Sequence, residues 1–312
     1  MPRQRPDLQL PDLSGRRTLV TGGSDGMGVT IATRLAAAGA EVLLPVRTRA
    51  KGEAVVAQVR AQHPQARMEV LDLDLASLTS VERLGQHLVE EGRPLHLLVN
   101  NAGVMTPPQR RTTEDGHELQ LGVNHLSHVA LTAHLLPLLR EGRGRVVSQT
   151  SIAARSGSMR WDDPDWTSSY DGMAAYRQSK IAVAQFALEL SRRSAAGGWG
   201  VTSTLAHPGV APTSLLAARP EMGRTSDTGA VRVIRWLSAR GWVVGTPETA
   251  ALPALLASTV PDGEDGTFYG PQGLGGLGGA PGRVEPWSSF ADAGDARRTW
   301  ELSEGLLGRR VG

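Results

Sequence analysis

The sequence predicts an α/β fold, a single doubly wound parallel sheet with helices on both faces. Three observations predict it. Short apolar runs alternate with helical-period segments along most of the 312 residues. The first such run passes straight through a glycine-rich turn into a helical pattern. Residues with chemistry to offer fall just beyond the runs, at the strand ends where open α/β sheets bind their ligands.

Residues 17–21 read as the first strand and lead into Gly22-Gly23-Ser24-Asp25-Gly26-Met27-Gly28, with a helix over 29–38 that stops at Gly39. Between a strand and a helix, glycines let the backbone approach a pyrophosphate, and the helix N-terminus supplies free N–H groups. The glycine-rich stretch 273–282 has no such passage around it and reads as a flexible loop. The second strand, 41–46, leads into Arg47, with no acidic residue at its end for a free ribose 2′-hydroxyl. A guanidinium there suits a 2′-phosphate through charge-assisted hydrogen bonds.

The alternation continues with a helix over 51–62, a strand over 68–73 and a helix over 78–91. A strand over 95–99 leads into Asn100-Asn101-Ala102-Gly103, and a long helical pattern over 114–139 contains Asn124. The strand 145–148 opens onto Gln149-Thr150-Ser151, and the strand 201–206 ends in His207-Pro208-Gly209. A helix over 247–258, a last edge strand over 266–269 and a terminal helix over 295–306 complete the chain. No repeat, linker or composition shift intervenes, so residues 1–312 read as a single domain. A lid segment occupies about 211–245 and a C-terminal extension about 270–312.

Tyr176 and Lys180 stand four residues apart inside a helical pattern over 174–190 and so share one helix face. A free phenol, with pKa near 10, exchanges protons poorly at neutral pH. A fixed cation beside it favours phenolate and is expected to lower that pKa toward the working range. Tyr170 has Ala174 at the corresponding spacing and is rejected as the acid.

Composition excludes several classes. Hydrophobic content of 40% and charged content of 21% suit a globular protein, and 33 basic against 31 acidic residues leave no basic run. Nucleic acid and anionic membrane are therefore not expected partners. The opening residues lack the apolar core of a signal peptide. The most apolar helical stretch, 129–139, is too short to span a bilayer. Absence of cysteine removes disulfides, a thiolate nucleophile and Cys-based metal sites, and the expected compartment is the cytoplasm. The eight histidines form no zinc-type pair with a general base; His125 and His128 read as surface or packing residues, and no metal is expected.

Taken together, these motifs resemble the short-chain dehydrogenase/reductase superfamily, and not its extended form. The resemblance rests on Thr21–Gly28, Asn100–Gly103, Asn124, Ser151, the Tyr176/Lys180 pair and His207–Gly209. Finer wording is similar to the retinol dehydrogenase and protochlorophyllide reductase branch. It includes Lys51-Gly52-Glu53, Asp74-Leu75-Ala76-Ser77-Leu78, Val123-Asn124-His125-Leu126 and the long insert between Ser151 and Tyr176. The resemblance implies a Rossmann-type sheet and an NADP(H)-dependent oxidoreductase that moves a hydride between nicotinamide and a carbonyl or alcohol.

By the same resemblance, Tyr176 gives or takes the proton, Lys180 lowers its pKa and holds the nicotinamide ribose, Ser151 binds the substrate oxygen, and Asn124 positions a relay water. The implied cofactor contacts are Gly22, Ser24, Asp25, Gly26, Met27 and Gly28 in the loop and Arg47 at the 2′-phosphate. Asp74 and Leu75 follow at the adenine, Asn101, Ala102 and Gly103 beside the ribose, and Pro208, Gly209, Val210 and Thr213 on the nicotinamide side. Asp72 competes with Asp74, and only the flanking Leu75-Ala76-Ser77 favours the latter. An extended-type sugar-nucleotide epimerase spaces its glycines differently. A non-catalytic NADP-binding regulator usually lacks part of the tetrad, and protochlorophyllide photoreduction relies on cysteines absent here.

The expected partner is a small carbonyl or alcohol substrate, with a homodimer or homotetramer as the assembly to test. Trp161, Trp166 and Tyr170 of the insert either pack it or line the substrate cleft. The apolar segment 227–244, with Trp236 and Trp242, is either a lid or a packing or interface helix. Arg155 and Arg160 are the only insert cations weighed as anchors for an anionic substrate. The expected substrate is a bulky lipophilic ketone or aldehyde.

Overall fold

The computed structural model describes residues 6–212, 236, 238, 244–261 and 265–312. Its strands are β1 (Arg17–Val20), β2 (Glu41–Val46), β3 (Arg67–Asp72), β4 (Leu97–Asn100), β5 (Arg145–Gln149), β6 (Thr202–Ala206), β7 (Phe268–Pro271) and β8 (Pro281–Val284). They form one sheet in the order β3-β2-β1-β4-β5-β6-β7-β8. β1 to β7 run parallel and β8 pairs antiparallel with β7. Every residue of β1, β4 and β5 is buried, including their polar ends, as central parallel strands covered on both faces should be.

The helices are α1 (Gly26–Ala37), α2 (Arg49–Gln62), α3 (Leu78–Glu91), α4 (Ser127–Glu141), α5 (Gly172–Gly197), α6 (Pro247–Ala250), α7 (Leu252–Thr259) and α8 (Ala293–Leu307). One face of the sheet packs Ile31 and Leu35 of α1, Val56 of α2 and Leu255 of α7. The other packs Leu84 of α3, Leu135 of α4, Phe186 of α5 and Trp300 of α8. Trp300 stacks on Phe186 with ring centroids 5.1 Å apart. The C-terminal extension thus braces the helix that carries Tyr176 and Lys180. Among the described residues no helix is long and apolar enough to cross a membrane.

Three expectations change. The strand expected at 266–269 is β7, and it is not the edge; β8 lies outside it, with Phe268 opposite Val284 and Pro271 opposite Pro281. The stretch 273–282 is therefore not all loop. It contains a turn at Leu274–Gly276 and then enters β8. An edge strand half open to water needs no apolar alternation, and its leading proline and exposed Arg283 suit an unpaired rim.

The third change falls in the long helical pattern over 114–139. A short turn at Leu119–Leu121 opens into a π-helical turn, Gly122–Leu126, in which the Ser127 N–H reaches back to Gly122 O. Only then does α4 begin. Such wide turns concentrate at functional sites, and this one carries Asn124.

Between β3 and β4 the chain returns across the sheet, so β1 has β2 on one side and β4 on the other. The crevice beyond the carboxyl ends of β1 and β4 is the switch point where doubly wound sheets bind ligands.

Candidate active site

A cavity of about 1020 Å³ opens at that crevice and extends along the ends of β1 to β6. Every residue assigned above to catalysis or cofactor contact lines it, except Asn124, which lies behind its wall, and Thr213, which lies outside the described residues. The loop Gly22–Gly28 forms its floor, and two of its glycines have no room for a side chain. A Cβ on Gly22 would lie 2.8 Å from Ala102 Cα, and one on Gly28 would lie 2.1 Å from Gly22 O. Bare backbone at the start of α1 is the surface a pyrophosphate requires.

Beyond β2, Arg47, Thr48 and Lys51 face the cleft together. Beyond β3, Asp74 and Leu75 line it, and Asp74 Oδ1 accepts from the Ala76 N–H at 2.9 Å. Asp72 is well exposed and pairs with Arg49 at 3.4 Å, outside the cleft. That separates the two aspartates which the sequence left in competition. Beyond β4, the N–H groups of Asn101 and Ala102 both donate to Thr21 Oγ1 at 3.0 Å, and Asn101 Nδ2 donates to Thr21 O at 2.9 Å. Asn101 Oδ1 is buried without a partner among the described residues, an acceptor held ready at the cleft wall.

The reactive end gathers on β5 and α5. Asp171 caps α5, accepting from the N–H groups of Met173 and Ala174. One turn later Tyr176 is 3% exposed and Lys180 4%, and both still line the cavity. The Tyr176 hydroxyl meets the side chain of Ser151, whose Oγ accepts from the Ala153 N–H at 3.2 Å. Lys180 Nζ donates to Gln149 O at 2.9 Å. Behind them, Asn124 grips the strand-end loop: its Nδ2 donates to Val104 O and Ser179 Oγ, and its Oδ1 accepts from the Val104 N–H at 2.7 Å.

Burial pushes the Tyr176 phenol above its usual value, only partly opposed by the Ser151 hydroxyl, and pushes the Lys180 ammonium down to about 8. The expected lowering of Tyr176 by its neighbouring cation is thus overturned in the protein alone. Desolvation of a phenolate dominates, the Ser151 hydroxyl is the opposing influence, and Lys180 is turned to the Gln149 carbonyl.

On the β6 side, Pro208, Gly209 and Val210 line the cleft, and the Val210 N–H donates to Leu277 O at 2.8 Å. The apolar wall near Tyr176 comes from Val104, Met105, Ile152, Ala153 and Met173. Tryptophans of the insert do not supply it. Trp161 lies under Arg298 and Trp166 under Arg160, and both line a separate cavity of about 440 Å³. Tyr170 donates to Glu118 Oε1 and stands outside the main cleft.

Neither insert arginine reaches the cleft. Arg155 bonds Gly275 O, and Arg160 bonds Ser168 and Ser169. Of the segment 227–244 only Trp236, Ser238 and Val244 are described, so the choice between lid and interface, with Trp242, lies outside the described residues. Among the described residues no cluster of three His, Asp or Glu could hold a metal.

Four positions escaped the sequence reading. Thr48 and Lys51 share the cleft with Arg47, Thr48 at the cap and Lys51 in the first turn of α2. Gln149 holds Lys180 through a backbone atom, which leaves no side-chain signature. His128 lies one turn beyond Asn124, buried and hydrogen-bonded, which is the packing reading and not the surface one; its place beside the site left no signal in the sequence.

The short chain dehydrogenase family profile matches residues 16–223. A mouse (Mus musculus) protein named polyprenol dehydrogenase is 40% identical over 306 residues, covering 95% of this chain and 84% of that protein. A human (Homo sapiens) protein named retinol dehydrogenase 13 is 36% identical over 300 residues, covering 95% and 86%. Among solved structures, a Pseudomonas aeruginosa RhlG/NADP active-site complex superposes with a TM-score of 0.62 at 27% identity, covering 82% of this chain and 94% of the other.

Proposed function

The chain belongs to the short chain dehydrogenase family and is an oxidoreductase; on that premise we propose that it binds NADP(H) and interconverts a lipophilic alcohol and its carbonyl. One observation carries the reading. The half-buried Ser151 and the buried Tyr176 and Lys180 face the same cavity as the bare-backbone loop Gly22–Gly28 and the cations Arg47 and Lys51. The cradle fits the cofactor. The pyrophosphate takes the loop and the start of α1, the unpartnered Asn101 Oδ1 suits a ribose hydroxyl, and Arg47 with Lys51 suits a 2′-phosphate. The naming of a related solved structure as an NADP complex supports this choice.

The bound nicotinamide supplies or accepts the hydride; the chain's residues handle the proton and the geometry. During reduction the Tyr176 hydroxyl passes its proton to the substrate oxygen, and in the reverse direction it takes the proton back. Ser151 donates to the same oxygen and holds it beside Tyr176. Lys180 sets a positive charge one helical turn from the phenol, favouring phenolate when the proton leaves. Asn124 holds the loop at Val104 in place and positions a relay water, giving the proton a route toward solvent.

A lipophilic substrate is supported by the wall of Val104, Met105, Ile152, Ala153 and Met173, and by the absence of Arg155 and Arg160 from the cleft. Such a wall selects by buried apolar area, at about 25 cal/mol per Å². Two relatives carry the names of isoprenoid alcohols, a polyprenol and a retinol, which points to a long isoprenoid-like alcohol and its aldehyde or ketone.

Fluorescence titration and a carbonyl panel test the reading together. NADPH should bind about tenfold or more tighter than NADH, a difference of ~1.4 kcal/mol, and Arg47→Ala should erase most of it. With NADPH, kcat/KM should rise along a series of longer apolar aldehydes. Equal affinity for the two cofactors, or a preference for small phosphorylated carbonyls, refutes the corresponding half.

A further inference from the structure

Thr21 directly follows β1, immediately before the glycine loop, and is fully buried. Its hydroxyl accepts from two backbone N–H groups, those of Asn101 and Ala102, each at 3.0 Å. A hydroxyl has two lone pairs and one proton, so only the proton remains to be placed. It has two neighbours, Val99 O at 3.3 Å and His128 Nε2 at 3.0 Å.

The other side of the imidazole decides the matter. His128 Nδ1 lies 2.9 Å from Asn124 O, and a carbonyl oxygen only accepts, so Nδ1 carries the hydrogen. In a neutral ring Nε2 is then a bare acceptor, and the Thr21 hydroxyl donates to it. The ring does stay neutral. It is buried, Lys180 and His125 are the charged or titratable groups around it, and burial together with Lys180 holds its pKa down to about 4.

Every hydrogen in this chain therefore has one direction. The Asn101 and Ala102 N–H groups donate to the Thr21 hydroxyl, which donates to His128, which donates to Asn124 O. The last bond has a cause in the backbone. Across the turn Gly122–Leu126 the helix is wound wide, with the Ser127 N–H on Gly122 O, five residues back. An imidazole from one turn further on covers the carbonyl of Asn124, at the centre of that widened turn.

We propose that His128 is a positioning residue, a neutral two-sided bridge that ties the strand end before the cofactor loop to the widened turn carrying Asn124. Through it the cofactor cradle and the proton relay keep one register, although Thr21 and His128 are 107 residues apart. This rests on the NADP(H) reading above.

Two near-isosteres separate the halves of the bridge. The side-chain amide of Asn reaches the Nδ1 position, and that of Gln reaches the Nε2 position. His128→Asn should keep the bond to Asn124 O and hold kcat within about threefold of the unmodified protein, while NADPH Kd rises roughly fivefold. His128→Gln should show the reverse, with near-normal NADPH Kd by fluorescence titration and kcat lowered about tenfold or more. His128→Phe, which fills the space without either bond, should suffer both losses.

A purely structural histidine would not produce this crossed pattern, since lost folding moves both readouts together with Tm. Asn and Gln variants that behave alike, or a Phe variant with normal kcat and Kd, overturn the proposal. If the unmodified protein itself fails to bind NADPH, the cofactor reading falls and the bridge falls with it.

Discussion

At the scale of single residues, the proposed proton-handling pair is defined by burial as much as by spacing. Tyr176 and Lys180 are both nearly sealed from water, which raises the phenol and brings the ammonium down to about 8. Tyr176→Phe keeps the ring and removes the acid, so kcat should fall about a hundredfold or more with NADPH Kd unchanged, and Tyr170→Phe should be nearly silent. Steady-state rates and a binding titration decide it; a Tyr176→Phe protein that turns over normally would assign the proton to another group.

The depressed Lys180 pKa also sets a pH window. The folded value lies below the unfolded one, so unfolding takes up a proton from about pH 8 to the ordinary lysine range. The buried charge costs stability below about pH 8, and that cost fades as pH rises through the window. Activity goes the other way, because the cation supporting the phenolate is lost. In the reductive direction kcat/KM should decline above pH ~8, and a profile flat to pH ~10 would remove Lys180 from that role.

At the scale of elements, the turn after β6 depends on the hairpin of β7 and β8. Gly209 has φ +70°, and a Cβ there would come within 2.5 Å of Leu277 O, whose second contact is the Val210 N–H. Both the left-handed backbone and the close carbonyl exclude a side chain. Gly209→Ala should cost roughly 1–3 kcal/mol in thermal or urea unfolding and weaken NADPH, because Pro208 and Val210 line the cleft. Gly305→Ala in α8 is the counterpart. Nothing lies within 4 Å of a Cβ there, and the change should be neutral or stabilise by about 0.5–1 kcal/mol. If the two substitutions had the same effect, the Leu277 contact would not matter to the turn.

At the scale of the whole molecule, the C-terminal extension is part of the support for the site. Trp300 of α8 is 1% exposed, stacks on Phe186 of α5 and lies under the Arg193 guanidinium at 4.5 Å. Thr299 Oγ1 donates to Gln185, and Ser303 Oγ meets His125, so α8 also touches the turn that bears Asn124. Trp300→Ala should lower stability by about 3–5 kcal/mol, read as a lower denaturant midpoint with unchanged slope. A loss below ~1 kcal/mol would mean that α8 merely rests on α5.

With Ser151 resting on the family resemblance, the sequence by itself determined the alternation of strands and helices and the cleft at the strand ends, and pointed to Tyr176, Lys180 and Arg47. These are local signals: parallel strands covered on both faces read as apolar runs, helices read as a 3.6-residue period, and the glycine loop needs its neighbours only in sequence. Tertiary structure alone decided the rest. It set Asp74 and not Asp72 in the cleft, moved Trp161 and Trp166 out of it, and added β8 at the rim. It also reversed the shift of Tyr176 and joined His128 to Thr21. The physical reason is common to all of these. Desolvation and hydrogen-bond partnership depend on which distant segments become neighbours, and no period or spacing along the chain carries that information.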